Sequence, residues 1–171
     1  MEQAKPFADL LLTCTSVIAI IVGGWWTYNN FIAEDTHEAD PNISVSAEVQ
    51  PYDATRALLV VHVKPVNHGK VPIELDGGEQ GDIDVTIKEI PPGLGNGHIE
   101  QDKLVAVPNA TARNIVSRYK GYVLEPGTEY DEIESFVVPR GKMYLVTAEM
   151  DHYDTDPDVE VDGSTVVRIE P

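Results

Sequence analysis

Asp158-Val159-Glu160-Val161-Asp162-Gly163 sets carboxylates at alternate positions with a glycine sixth, the spacing that opens a calcium-binding loop. With Asp154 and Asp156 upstream, the run Asp154, Asp156, Asp158, Glu160 and Asp162 supplies the oxygen ligands a hard cation takes, of which calcium needs about six to eight. The helix-loop-helix version fails on spacing, because the twelfth position is Ile169 and Glu170 comes one residue late. The same alternation, with Val159 and Val161 between the acids, is also that of an edge strand whose carboxylates face water. The solvated edge is the reading carried forward. No cofactor is expected, with calcium as the alternative.

Other chemistry is sparse. His37, His62, His68 and His98 are scattered without metal-like spacing, and only His152, beside Asp151 and Asp154, sits within a carboxylate cluster. Gly93-Leu94-Gly95-Asn96-Gly97 lacks the Lys-Ser/Thr that completes a phosphate cradle. There is no Gly-x-Ser-x-Gly elbow, and the one cysteine, Cys14, lies far from the acidic run in an apolar segment. The expectation is a protein that is not an enzyme.

The elements that must position these residues are strands and turns. Ile43 to Val49 alternates apolar and polar, Arg56 to Val66 is β-branched and nearly continuous, and Asp82 to Ile90 alternates cleanly. Val71 to Leu75, Lys103 to Val107, Ile115 to Val123, Tyr130 to Val138, Lys142 to Met150 and Ser164 to Ile169 give further strands, punctuated by Asn67-His68-Gly69, Asp76-Gly77-Gly78, Pro126-Gly127 and Arg140-Gly141. Leu59, Val61, Val85, Ile87, Val137, Leu145 and Val167 are the expected core. Short strands at this spacing, with no sustained helical period after Pro41, point to an antiparallel two-sheet sandwich.

The turn chemistry carries a resemblance. Val66-Asn67-His68-Gly69, then LEPGTEYDEIESFVVP from Leu124 to Pro139 and GKMYLVTAEMD from Gly141 to Asp151, is similar to bacterial and archaeal immunoglobulin-like modules of the CARDB type. The closing segment Asp154 to Asp162 departs from that pattern. The resemblance implies an immunoglobulin-like sandwich acting as a cell-surface spacer or interaction domain.

Leu10 to Ala33 holds no formally charged side chain, and as a helix it would rise about 36 Å against a bilayer core of about 30 Å. Trp25, Trp26, Tyr28 and Phe31 are the expected membrane-interface residues. Val22-Gly23-Gly24 would suit a signal-peptide cleavage site, but Lys5 is opposed by Glu2 and Asp9, so a retained anchor is preferred. Leu11-Leu12-Thr13-Cys14 would be a lipoprotein signal only with a longer apolar run before it. The expected fold class is thus an all-β, immunoglobulin-like antiparallel β-sandwich preceded by one transmembrane α-helix. Its parts are a tail at 1–9, an anchor at 10–33, an acidic stalk at 34–42 and the sandwich at 43–171. Lys5 alone biases the N-terminus to the cytoplasm and the sandwich to the periplasm or cell exterior, at the cell membrane.

The formal charge is −17, and residues 41–171 hold 23 acids against 11 bases, or −12. Such a surface repels phosphate backbones, which excludes nucleic acid as a partner and leaves solubility, or attraction to cations and basic proteins. The expected partners are therefore the lipid bilayer and a membrane or envelope protein. Three functions compete: an accessory subunit or adaptor of a larger envelope complex, a calcium-dependent adhesion or ligand-binding domain using Asp151 to Asp162, and a hydrolase built from loop carboxylates. Saturable calcium binding separates the second from the first, and a deep cleft holding an acid of raised pKa marks the third.

Overall fold

The computed structural model describes residues 4–29, 39–78, 81–94, 97, 99–152 and 159–171, with side chains of 4–11 and of Val159 outside that description. The chain divides into two compact units, Met1–Glu38 and Ala39–Pro171.

The first unit contains one helix, α1 (Ala4–Tyr28). Ser16 Oγ donates to Leu12 O at 2.8 Å along it, and Asn29 Nδ2 donates to Trp25 O at 3.1 Å, occupying a carbonyl that the ending helix leaves free. Trp25, Trp26 and Tyr28 are exposed, while Phe31 lies outside the described residues. Among the described residues no helix is long and apolar enough to cross a membrane, which overturns the transmembrane anchor in the expected fold class. Thr13, Thr15 and Ser16 put hydroxyls into the helix.

The second unit is β-sandwich-like and antiparallel throughout. Its strands are β1 (Pro41–Pro51), β2 (Arg56–Asn67), β3 (Ile73–Leu75), β4 (Gly81–Ile90), β5 (Val105–Ala112), β6 (Tyr122–Leu124), β7 (Glu132–Pro139), β8 (Met143–His152) and β9 (Val159–Arg168). One sheet runs β1-β2-β7, a second runs β5-β4-β8-β9, and β3 pairs with β6. The inward faces follow the period of two. Ala57, Leu59, Val61 and Val63 from β2 meet Ile83, Val85 and Ile87 from β4 and Tyr144, Val146, Ala148 and Met150 from β8 in one buried cluster. Tyr144 ends in a hydroxyl that donates to Pro139 O at 2.8 Å, and burial pushes its pKa up to about 12. The buried tip therefore stays a neutral donor.

The expected core is met at Leu59, Val61, Val85 and Ile87, all fully buried, while Val167 is partly so. Val137 is not, at 39 % exposed, because Phe136 and Val138 take the inward positions of β7. Leu145 is buried, but on the outward side of β8, in register with Lys88, where Gln101 covers the neighbouring Thr147. Ile115 to Val123 is not one strand. Asn114 adopts a left-handed φ of 53°, a 3-10 turn follows at Ile115–Arg118, and only Tyr122–Leu124 is extended. Ile115 and Val116 are buried all the same, so the apolar signal marked burial rather than extension.

Two features hold the unit together. Asn67 is fully buried, and its Nδ2 donates to Val71 O at 2.7 Å and Leu124 O at 2.9 Å, while its Oδ1 accepts from Gly69 N at 2.9 Å. Its backbone bonds to Thr128 O and Gly127 N, so both turns converge on this residue. On the opposite flank β9 passes β1 so closely that a Cβ on Gly163 would lie 2.7 Å from Ile43 O. Only glycine permits that approach.

Replacing Asn67 by Ala removes three hydrogen bonds and leaves buried carbonyls without donors. The expected cost is about 3 kcal/mol, at about 1 kcal/mol per bond, measured by urea unfolding. A loss under about 1 kcal/mol would show that these groups find other partners.

Candidate functional site

The outward face of the second sheet carries two rows of carboxylates. Ile83, Val85 and Ile87 turn inward, so Asp82 and Asp84 turn outward; on β8 the inward Ala148 and Met150 leave Glu149 and Asp151 outward in the same way. Register then aligns them: Asp82 faces Asp151, which faces Glu160, and Asp84 faces Glu149, which faces Asp162. Directly opposed side chains in such a ladder sit about 4.5 to 5.5 Å apart at Cβ. Glu149, Glu160 and Asp162 are exposed and the other three half-buried.

Several of these acids have partners. Arg113 Nη1 lies 3.5 Å from Asp84 Oδ2, whose Oδ1 accepts from Asn114 N at 3.0 Å, and Asp82 Oδ1 accepts from Ile83 N at 2.6 Å. Lys88, two positions along β4 from Thr86, instead donates to Gln101 O at 3.2 Å. Burial, then the charge of Asp84, raises the pKa of Asp82 despite the Ile83 N–H. Burial, then the charges of Glu160 and Asp151, raises that of Glu149.

Of the residues predicted for a cation, Glu160 and Asp162 lie on this face, whereas Asp154, Asp156 and Asp158 lie outside the described residues. Among the described residues no group of three or more His, Cys, Asp or Glu is placed to hold a metal ion. The acids paired with Glu160 and Asp162 come from β8, and those of β4 lie one strand further across the sheet. His152, adjacent to Asp151 in sequence, is buried, and its Nδ1 has no hydrogen-bond partner among the described residues. His62 Nδ1 lies 3.0 Å from Asp131 Oδ1.

A second arrangement, missed in the sequence, gathers Tyr119, Tyr122, Tyr130 and Glu132 around a pocket of about 230 Å3. Tyr119 and Tyr122 have ring centroids 5.6 Å apart, and Tyr122 meets Tyr130 edge-on at 5.4 Å. The Tyr119 hydroxyl donates to Glu132 Oε2 at 2.6 Å, and the Tyr130 hydroxyl to Val123 O at 2.8 Å. The alternating Tyr-x-Glu at Tyr130 and Glu132 was the one available signal. Elsewhere two grooves of about 440 Å3 flank the Lys142–Glu89 ion pair, one along Leu104 and the start of β5 to Pro108 and one lined by Pro91, Pro92 and Leu94.

Protonation should relieve the acidic face. Glu149 and Asp82 hold their protons more tightly folded than unfolded, so between the unfolded and folded pKa values stability rises as pH falls, and at neutral pH the repulsion is fully present. Asp53 works oppositely: its pKa is lowered to about 2 by the Thr55 N–H and the Arg56 side chain, and that contribution is lost only as pH falls below the ordinary carboxylate range. Glu149→Gln should therefore raise stability at pH 7 and low salt by about 0.5 to 1 kcal/mol, with the gain fading in molar salt. Thermal melts at paired pH and salt conditions check this, and a destabilised variant at pH 7 would refute it.

No family model matches the chain, and no curated protein matches its sequence. Among solved structures it is similar to a Bacteroides fragilis protein provisionally named a beta-galactosidase, at 14 % identity and TM-score 0.48 over 75 % of this chain and 17 % of that one. It is also similar to a Bordetella pertussis protein provisionally named ApaA, at 12 % identity and TM-score 0.46, over 77 % of this chain and 94 % of that one. A third is a provisionally named lipoprotein, ycdA, of Bacillus subtilis, at 16 % identity and TM-score 0.38, over 77 % of this chain and 38 % of that one. The chain thus spans well under half of the first and third.

Proposed function

We propose that this chain is a non-catalytic interaction module, an accessory subunit or adaptor that docks a basic partner protein on the outward face of β4, β8 and β9. The observation that carries this reading is the pair of three-carboxylate rows, Asp82, Asp151, Glu160 and Asp84, Glu149, Asp162, set in register across three strands. Like charges placed directly opposite one another destabilise a sheet, and the arrangement becomes favourable when a cationic surface lies against it. A field of one sign also speeds the encounter with such a partner. The flat, ladder-like geometry suits a protein surface better than a single ion, since neighbouring acids are spread along two rows instead of converging on a point.

The test is co-purification of the full chain from its native cells beside the triple variant Glu149→Gln, Glu160→Gln, Asp162→Asn. A partner that co-elutes with the wild type should be lost from the variant, and also from the wild type between about 0.1 and 1 M salt, as the screening length falls from about 10 to about 3 Å. The variant should melt no lower than the wild type. Retention of the same species by the triple variant would reject the docking face. A rise in melting temperature with millimolar calcium beyond an equal ionic strength of sodium, abolished by Asp162→Asn, would replace docking with ion coordination.

A further inference from the structure

Away from the acidic sheet face, the tyrosine pocket presents a carboxylate that the fold buries without a cation. Glu132 opens β7 and is 8 % exposed, and the Tyr119 hydroxyl is the donor that reaches it. Arg118, next to Tyr119 in the chain, forms an ion pair with Glu134. Among the described residues no lysine or arginine forms an ion pair with Glu132. Tyr122, only 5 % exposed, lines the same pocket, and its hydroxyl lies beside Glu132 but meets no well-aligned hydrogen-bond partner among the described residues. A buried carboxylate is costly unless a charge answers it, and a buried hydroxyl costs more when unbonded.

We propose that the pocket of Tyr119, Tyr122, Tyr130 and Glu132 binds the trimethylammonium group of a small organic cation. Three phenol rings within 5.6 Å of one another, centroid to centroid along the row, supply the electron-rich surfaces that attract such a group, and Glu132 supplies the opposite charge. An alkylated ammonium has no N–H to satisfy, so ring faces and one carboxylate suffice. A calcium ion, which needs about six to eight oxygens, would be poorly held here. The volume of about 230 Å3 lies below the roughly 300 to 1,000 Å3 of sites for drug-sized ligands and suits a headgroup. The hydrogen bond to Glu132 raises the pKa of Tyr119, and burial, then the charge of Glu132, raises that of Tyr122, so both hydroxyls stay protonated and the rings add no charge of their own. The acidic surface of the chain raises the local concentration of any cation.

Calorimetric titration of the full chain with tetramethylammonium and with choline, against ammonium and sodium at equal ionic strength, tests the site. Saturable binding of the two alkylated ions with a Kd of about 1 mM or tighter is expected, and none for ammonium or sodium. Glu132→Gln should weaken choline about tenfold, and Tyr130→Leu, at the half-exposed rim, by a similar factor. If Glu132→Gln fails to fold, the Tyr130 variant decides. Phosphocholine should bind more weakly than choline, its phosphate being repelled by Glu132, which marks the ligand as a free cation; the reverse order would transfer the site to a lipid headgroup and overturn that assignment. Absence of saturation, equal binding of ammonium, or wild-type affinity in the Tyr130 variant would each overturn the proposal.

Discussion

The side-chain amide of Asn67 is the constraint on which the sandwich depends. β2 ends there, and the chain must next turn, form β3, and later return through β6 and the Pro126-Gly127 turn to the same place. A buried strand end exposes carbonyls and amides that no ladder continues to satisfy. One asparagine answers them on both sides, donating twice and accepting once, with its own backbone tied to Thr128 and Gly127. Aspartate would lack the donors and leucine both functions. Position, donor count and acceptor count together select the residue.

Much of the sandwich was legible because burial of a strand leaves a period of two. Arg56 to Val66 and Asp82 to Ile90 announced β2 and β4 almost to their ends, and Asn67-His68-Gly69 and Pro126-Gly127 marked the turns that meet. The misread segments are those where apolar content is not tied to extension. Ile115 and Val116 plug the core from a 3-10 turn that the left-handed Asn114 starts. Val137 occupies the outward phase of β7, and a one-residue change of phase exchanges core for surface. A helix was expected at 10–33 and is found at Ala4–Tyr28, but a membrane crossing asks for more than a helix, and no helix among the described residues is long and apolar enough for one.

The acidic face was half legible. Reading along the chain finds Glu160 and Asp162 among their sequence neighbours, yet the acids paired with them come from β8, some ten residues earlier, and register adds those of β4, some seventy residues earlier and one strand further across. Period-two alternation had placed Asp82 and Asp84 outward; only pairing could say against whom. The tyrosine pocket had less signal still, for Tyr119, Tyr122 and Tyr130 come from a turn, a three-residue strand and a loop, and no spacing rule joins such segments.

Gly163 gives the molecule a handedness of exposure. Where β9 passes Ile43 the two backbones are too close for a third strand to enter, so the flank formed by β1 and β9 is closed at that point. The remaining flank belongs to β5 and β7, and β5 is interrupted by Pro108, which has no N–H, and by Asn109 at a φ of 60°. Endless strand-to-strand growth requires two receptive flanks on each copy. A side-chain hydrogen at one position thus narrows one of the routes by which strands of successive copies could join.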